Sequence, residues 1–130
     1  MANFKFPKIT RIHSKRDFRA ILDSKCFFKN ELMKLYIAQN DTEKSRFAVS
    51  ISSKIAPAAV RNRLKRLARE AFRLSRSEIT DGFDYFLIYS VMLSKRPNSD
   101  IKKTTLKQVQ QSFIELVRQG HKRFEKERNK

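Results

Sequence analysis

The sequence predicts an α/β sandwich, an α+β fold in which helices pack on a sheet. The hydrophobic spacing gives the order helix, strand, strand, helix, strand, helix, in which one helix separates a strand pair from a later strand. The length of 130 residues is typical of one domain. We expect a single domain over 1–130, with a core of about 9–119, a flexible basic arm over 1–12 and a charged, frayed tail over 121–130.

The first half of the chain predicts one helix and two strands. Ser14 and Asp17 resemble a capping box with Asp in place of Glu, and apolar residues at helical spacing follow, so we expect a short helix over about 15–23. Apolar residues alternate along 33–39 and again along 46–52, as in half-buried strands. The short polar connection between these strands favours an antiparallel hairpin.

The second half predicts a helix over 58–76, a strand over 85–91 and a last helix. The near-continuous apolar run of 85–91 is typical of a central strand covered on both faces. The last helix contains apolar residues at helical spacing from Leu106, and we expect it to end near Gly120.

The helix over 58–76 carries two separate faces. At about 100° per residue, an arc of roughly 80° holds the apolar residues Val60, Leu64, Leu67, Ala71 and Leu74. Another arc of roughly 140° holds Asn62 and the basic residues Arg61, Lys65, Arg66, Arg69, Arg73 and Arg76. Glu70 is the only acid in this segment. The apolar arc predicts a buried face, and the basic arc predicts a polyanionic partner because like charges on one helix face repel each other.

The charge balance of the whole chain points to the same class of partner. A charged helix face is most often merely solvated, but solvated faces tend to mix the two signs. The net charge of +17 suits RNA, DNA or an anionic membrane surface. A membrane is the weaker option, because no apolar run approaches the roughly 20 residues of a spanning helix and the N-terminus lacks an apolar signal segment. We therefore expect a nucleic-acid-binding protein of the cytoplasm.

The chain offers few candidate catalytic residues. His13 and His121 are far apart in sequence, and the single Cys26, beside two phenylalanines, is typical of a buried or half-buried thiol. Asp81 and Asp84 have the positions of a turn residue and a strand start. Metal-binding motifs and glycine-rich phosphate loops are absent from the sequence. We therefore predict no catalytic side chain and no protein-bound metal.

Aromatic residues near the basic helix in sequence are candidates for base stacking. Aromatic residues on a sheet are mostly core, but they also stack unpaired RNA bases. Tyr36 is out of phase with the apolar residues of its strand, which predicts an accessible ring, whereas Phe47 is in phase and is predicted to be core. Ser50 and Ser52 lie on the opposite side from Phe47 and could donate to phosphates or bases.

Two segments of the sequence resemble the protein component of bacterial ribonuclease P. They are SISSK at 50–54 and AVRNRLKRLAREAFR at 59–73, and the Arg-Asn-Arg of 61–63 is the hallmark of that family. The helix start at Asp17 and Phe18 and the strand with Tyr36 are similar as well. So are the segment 84–88 and the final helix, which extends the resemblance over about 9–117. The chain departs from the usual pattern at Ser53, Ala56 and Pro57.

The resemblance implies a fold, and it implies that the RNA subunit catalyses the reaction while the protein binds RNA. The fold has the order α-β-β-β-α-β-α, a mixed sheet and a left-handed βαβ crossover. An RNA subunit performs the Mg²⁺-dependent hydrolysis that removes the 5′ leader from precursor tRNA, and the protein binds this RNA and the leader. Mg²⁺ is then expected mainly on the RNA, with no cofactor bound tightly by the protein.

The resemblance also implies two sets of site residues. Those facing the catalytic RNA are Arg61, Asn62, Arg63, Lys65, Arg66, Arg69 and Arg73. Those in a cleft for the single-stranded leader are Phe18, Tyr36, Arg46, Ser50, Ser52 and Lys54.

Two other functions remain open from the sequence. A small basic ribosomal protein that binds rRNA would have the same composition, and would sediment with ribosomal subunits. A protein nuclease whose carboxylates are gathered by folding would cleave RNA with a metal ion and without an RNA subunit.

Overall fold

The computed structural model describes residues 11–12, 14–40 and 42–128. Residues 1–10 of the predicted arm, and His13, lie outside the described residues. Two short 3₁₀ turns over Arg76–Glu78 and Val91–Lys95 accompany eight regular elements. These are α1 (Lys15–Asp23), β1 (Phe27–Lys29), β2 (Met33–Gln39), β3 (Arg46–Ser50), α2 (Ala58–Leu74), β4 (Phe83–Tyr89), α3 (Asn98–Lys102) and α4 (Leu106–Arg128).

The four strands form one mixed sheet in the order β1-β2-β4-β3. β2 is antiparallel to β1 and β4, and β3 is parallel to β4. The predicted β2–β3 hairpin is therefore wrong, because β4 lies between these two strands. β4 is almost wholly buried. Its position in the centre of the sheet accounts for this, because side chains on both faces of a central strand are covered by other elements. The mixed sheet and the element order implied by the resemblance are confirmed, with β1 as the strand that hydrophobic spacing missed and α3 as an addition.

The parallel pairing of β3 with β4 requires a crossover, and α2 provides it. The βαβ unit is thus confirmed, and its left-handed sense stays a prediction.

One face of the sheet packs on α2 and α4 and forms the main core. Phe47 is 2% exposed and stacks on Phe72 of α2 with ring centroids 4.7 Å apart, which confirms its predicted place in the core. Phe113 of α4 meets Phe47 edge-on at 5.9 Å. Tyr89 is buried here, and its hydroxyl donates to the carbonyl oxygen of Leu64 at 2.7 Å. Burial raises the pKa of this hydroxyl.

The opposite face of the sheet carries α1 and a second, smaller core of Ile12, Ile21 and Phe86. The predicted bounds of α1 are confirmed, and the N–H of Asp17 donates to the side-chain oxygen of Ser14 at 3.0 Å. This N-cap satisfies one of the free N–H groups of the first turn. Layers on both faces make the fold the predicted α/β sandwich.

The last helix continues through Gly120 to Arg128, so its predicted end near Gly120 is wrong, and the predicted charged tail is helical as far as Arg128. Gly120 is buried, and a side chain at this position would collide with Cδ1 of Ile37. The glycine therefore permits close contact between α4 and β2. Beyond it, Phe124 packs on Phe83 at 4.8 Å.

The buried face of α2 lies further round the helix than predicted. Val60, Leu64 and Ala71 are buried as expected, and so are Ala68 and Phe72. The stacking of Phe72 on Phe47 accounts for this rotation. Leu74 was predicted to be buried but is 45% exposed. It is the last residue of the helix, and it lies at the edge of the buried face that is farthest from Phe72.

Candidate nucleic-acid interface

The basic face of α2 is built on a helix that starts directly after Pro57. Proline lacks the N–H that would go unpaired there, and Arg61 strengthens the start by donating from Nε to the carbonyl oxygen of Ala56 at 3.0 Å. Asn62, Arg66, Arg69 and Arg73 are exposed, and Arg61, Arg63 and Lys65 are half-buried. A shallow depression on this face is lined by Ala59, Asn62, Lys65, Arg66 and Arg69.

Few of the basic side chains on this face pair with an acid of the described chain. Within the described residues, Arg73 is the member of the predicted RNA-facing set that forms an ion pair, with Glu70 one turn earlier. Their hydrogen bond lowers the pKa of Glu70 and raises that of Arg73. Partial desolvation lowers the pKa of Arg69, and the nearby charge of Arg11 lowers it further. Clustered like charges of this kind are the electrostatic signature of a phosphate-binding surface.

Two basic residues of this segment have surroundings different from those of the basic face. Nη1 of Arg63 is buried and has no hydrogen-bond partner among the described residues. Burial raises the pKa of the Tyr89 hydroxyl, and the nearby positive charge of Arg63 opposes this shift. Arg76 lies beyond the end of α2, in a 3₁₀ turn, with its guanidinium 5.5 Å from the ring centroid of Phe72. The predicted place of Arg76 on the basic face of one continuous helix is therefore wrong.

The second surface is the sheet face that carries α1, here called the open face. The strand register arranges its side chains in three parallel rows. The aromatic row is Phe27, Tyr36, Phe86 and Ala48. The lysine row is Lys29, Lys34, Ile88 and Ser50. The carboxylate row, on the other side of the aromatic row, is Ala38, Asp84 and Arg46.

The aromatic rings of the open face lie in contact with one another. Phe18 of α1 meets Phe86 edge-on at 5.0 Å, and Tyr36 lies 6.4 Å from Phe86. Phe27 lies 5.4 Å from Tyr36 on its other side. Tyr36 is half-buried and Phe86 is buried, so part of the Tyr36 ring is accessible as predicted. The structure brings the predicted residues Phe18 and Tyr36 together through Phe86.

Arg46 is held by two carboxylates of the protein. Its guanidinium donates to both oxygens of Asp84 at 2.7 Å and to Oδ2 of Asp17 at 3.1 Å. The hydrogen bonds to Asp84 raise the pKa of Arg46 above its ordinary value. Asp84 is the second residue of β4, which agrees with its predicted position at a strand start, and it is 4% exposed. The guanidinium of Arg46 is therefore already paired, by Asp84 of the same row and by Asp17 of α1.

The remaining predicted cleft residues lie where β3 leads into α2. Ser50 is exposed at the end of β3, and the strand ends there rather than at residue 52. Ser52 is half-buried, and its hydroxyl accepts from the N–H of the exposed Lys54 at 3.2 Å. These residues extend the side of the open face that holds the lysine row toward the start of the basic helix.

Phe27, Lys34 and Phe86 are residues of this face that sequence reasoning did not assign to the site. Tyr36 and Lys34 share a phase along β2, which was the available signal for Lys34. Phe27 could be found only with β1, a strand of three residues that is too short to show alternation. Cys26, adjacent to it, is half-buried as predicted.

Over residues 11–12, 14–40 and 42–128, no group of three or more His, Cys, Asp and Glu side chains could hold a metal ion. Over the same ranges, the helices lack the combination of length and apolarity that a membrane span needs.

Comparison with known proteins identifies the family. A family model described as Ribonuclease P matches residues 6–121. The chain belongs to this ribonuclease P protein family. The ribonuclease P protein component of Alkaliphilus metalliredigens is 30% identical over 108 residues, which are 83% of this chain and 90% of that protein. The component of Clostridioides difficile is 34% identical over 101 residues, which are 77% of this chain and 89% of that protein.

Solved structures of the family share the fold. The ribonuclease P protein of Thermotoga maritima matches with a TM-score of 0.73 and 28% identity, over 84% of this chain and 96% of that chain. The Staphylococcus aureus protein matches with a TM-score of 0.69 and 26% identity, over 84% of this chain and 93% of that chain. Membership in the ribonuclease P family implies a role in tRNA processing as part of an endoribonuclease complex.

Proposed function

We propose that this protein is the non-catalytic subunit of a ribonuclease P ribonucleoprotein of the cytoplasm. In this proposal, the basic face of α2 binds the RNA subunit and the open face binds the 5′ leader of precursor tRNA. The RNA subunit hydrolyses the leader junction with Mg²⁺ that is bound mainly by RNA. The observation that carries the proposal is the exposed cluster of basic side chains on α2, of which Arg73 alone, within the described chain, is paired with an acid.

The basic face supports binding to folded RNA through phosphates. Arg66 and Arg69 are exposed on one side of a helix whose other side is fixed in the core, so their positions are held by the fold. Each phosphate that such a group neutralises releases condensed counterions, which favours association and makes it salt-dependent. The added positive charge also lets RNA strands and their Mg²⁺ ions approach with less repulsion.

The open face supports binding to a single strand. Tyr36 offers a partly accessible ring for a base, and Ser50, Ser52 and Lys54 offer donors for phosphates. Stacking accepts every base, so we expect weak sequence preference in the leader. Arg46 takes a positioning role in this proposal, because its guanidinium joins α1 to β4 through Asp17 and Asp84.

Reconstitution tests the proposed activity. The protein is added to a bacterial ribonuclease P RNA at low Mg²⁺, and cleavage of a precursor tRNA to the mature 5′ end is measured. We expect cleavage to require the RNA and to be stimulated by the protein. Cleavage by the protein alone with Mg²⁺ would favour a protein nuclease. Sedimentation with ribosomal subunits, without any effect on cleavage, would favour a ribosomal protein.

The variant Tyr36→Ala tests the proposed substrate surface. Because the ring stacks on a leader base, its loss should weaken binding of leader-bearing substrate by about 1–3 kcal/mol. Affinity for mature tRNA, measured with the same holoenzyme, should stay the same. Met92→Ala is the matched control, since Met92 is 57% exposed and lies outside the open face. Equal losses for substrate and mature tRNA would contradict the proposed surface.

A further inference from the structure

We propose that Phe27 is a second stacking residue for the leader and that Lys34 and Lys29 bind the adjoining phosphates. The leader path then continues past Tyr36 across the sheet to the edge strand β1. This inference rests on the proposed function. It adds a binding subsite and the path that the leader RNA takes across the sheet.

The position of Phe27 makes it the continuation of the Tyr36 surface. The two residues are register partners on β1 and β2, and their rings are 5.4 Å apart and tilted by 46°. Phe27 is 38% exposed, and it is the one strand residue among the large exposed apolar side chains of the described chain. An aromatic ring left open beside a second accessible ring is the arrangement that holds successive bases of single-stranded RNA.

Lys34 connects the two rings. Its ammonium lies 4.0 Å from the ring centroid of Phe27 and 4.9 Å from that of Tyr36, so one cation contacts both aromatic faces. A base that stacks on Phe27 takes the place of this ammonium. The lysine stem is flexible, and the displaced ammonium then reaches the phosphate of the same nucleotide. The cation that occupies the rings in the free protein thus becomes a phosphate ligand in the complex.

The charges on either side of the aromatic row set the orientation of the strand. Lys29 and Lys34 are register partners in the lysine row, and this row continues toward Ser50 and Lys54. On the other side, Asp84 and Asp17 already bind the guanidinium of Arg46, so this cation is not available to a phosphate. The sugar-phosphate backbone of the leader therefore follows the lysine row, with its bases over the aromatic row.

The experiment uses the reconstituted holoenzyme and precursor tRNAs whose leaders increase one nucleotide at a time. With the unaltered protein, affinity should rise with leader length until the path over the protein is filled. With Phe27→Ala, the last step of this rise should be lost, which corresponds to about a fivefold to tenfold weaker binding of long leaders only. Phe27→Leu keeps an apolar side chain without a ring and should show the same loss, whereas Phe27→Tyr should restore binding.

A leader with one abasic nucleotide separates stacking from a structural role of the ring. Moved along the leader, the abasic site should weaken binding at the nucleotide over Phe27 in the unaltered protein and have no effect there in Phe27→Ala. Met92→Ala should behave like the unaltered protein with every leader. A further variant, Lys34→Met, should reduce the salt dependence of long-leader binding and leave that of short leaders unchanged.

The possible results distinguish this inference from the proposed function. Affinity that is independent of leader length in the unaltered holoenzyme would overturn the proposed function itself. A normal length dependence that Phe27→Ala and Phe27→Leu leave unchanged would overturn only the β1 subsite. A loss that is equal for every leader and for mature tRNA would assign Phe27 a structural role and would also overturn it.

Discussion

Replacing Asp84 by Asn tests the anchor that holds α1 on the open face. The Asp84 side chain is 5% exposed and binds Arg46 through both of its oxygens at 2.7 Å. Its Oδ1 also accepts from Nδ2 of Asn40 at 2.8 Å. In Asp84→Asn, one carboxylate oxygen becomes an NH₂ group that faces the guanidinium, so one charge-assisted hydrogen bond is lost and the other is weakened.

The magnitude follows from the burial of the pair. Breaking a fully buried ion pair costs about 3–5 kcal/mol, and one hydrogen bond to a charged group contributes about 1.5–3 kcal/mol. Arg46 is 19% exposed and keeps Asp17 as a partner, so the cost should lie below the upper limit. We expect a loss of about 3 kcal/mol in the free energy of unfolding, or about 10 °C in the melting temperature for a domain of this size.

The measurement is denaturant unfolding at neutral pH, followed by circular dichroism, with Asp17→Asn as the matched variant. Asp17 is 35% exposed and forms one contact with Arg46 at 3.1 Å, so its neutralisation should cost at most about 1 kcal/mol. If Asp84→Asn is no more destabilising than Asp17→Asn, the buried pair is not the anchor that its geometry indicates.

Two further predictions concern α2 and α4. Arg66→Ala should weaken binding to the ribonuclease P RNA and lower the slope of log affinity against log salt by about 1, because Arg66 is exposed and free to neutralise a phosphate. Arg73→Ala should change this slope less, since Arg73 is paired with Glu70, and equal slopes for the two variants would contradict the reasoning. Gly120→Val should lower the free energy of unfolding by about 2–3 kcal/mol, because the new side chain meets Ile37 in the core. Ile37→Val, which removes Cδ1, should recover part of this loss in the double variant, and strictly additive effects in thermal unfolding would argue against the contact.

Local sequence patterns predicted most of the longer helices and strands, but they did not predict which strands pair in the sheet. Alternation predicted β2 with the bounds that the structure has, and the cap at Ser14 predicted the start of α1. The hairpin prediction for β2 and β3 failed because adjacency in the chain does not decide adjacency in a sheet. Apart from Asp84, the side chains of β4 are apolar or aromatic, so β4 gains more from the central position than either alternating strand. Periodicity within one strand carries no information about that competition.

For the candidate site, the sequence predicts which side of a single helix or strand a side chain lies on. The direction of Tyr36 and the basic face of α2 are of this kind. The pairing of Arg46 with Asp84 was not predictable, because the two residues meet only when β3 and β4 become parallel neighbours. The same holds for Gly120, which has the sequence signal of a helix end but is required by the approach of α4 to β2.

The two proposed RNA surfaces meet at the connection between β3 and α2. The open face ends on this side with Ser50, and the basic helix begins eight positions later at Ala58. Ile51, Ile55 and Ala56 are buried within the connection, and Nε of Arg61 bonds to the carbonyl oxygen of Ala56 at 3.0 Å. These contacts oppose hinge motion in the connection. The proposed function therefore implies that a leader on the open face and an RNA subunit on α2 keep one relative orientation. Because catalytic rates depend steeply on the position of the reacting groups, this junction is the means by which the proposed non-catalytic subunit would assist RNA catalysis.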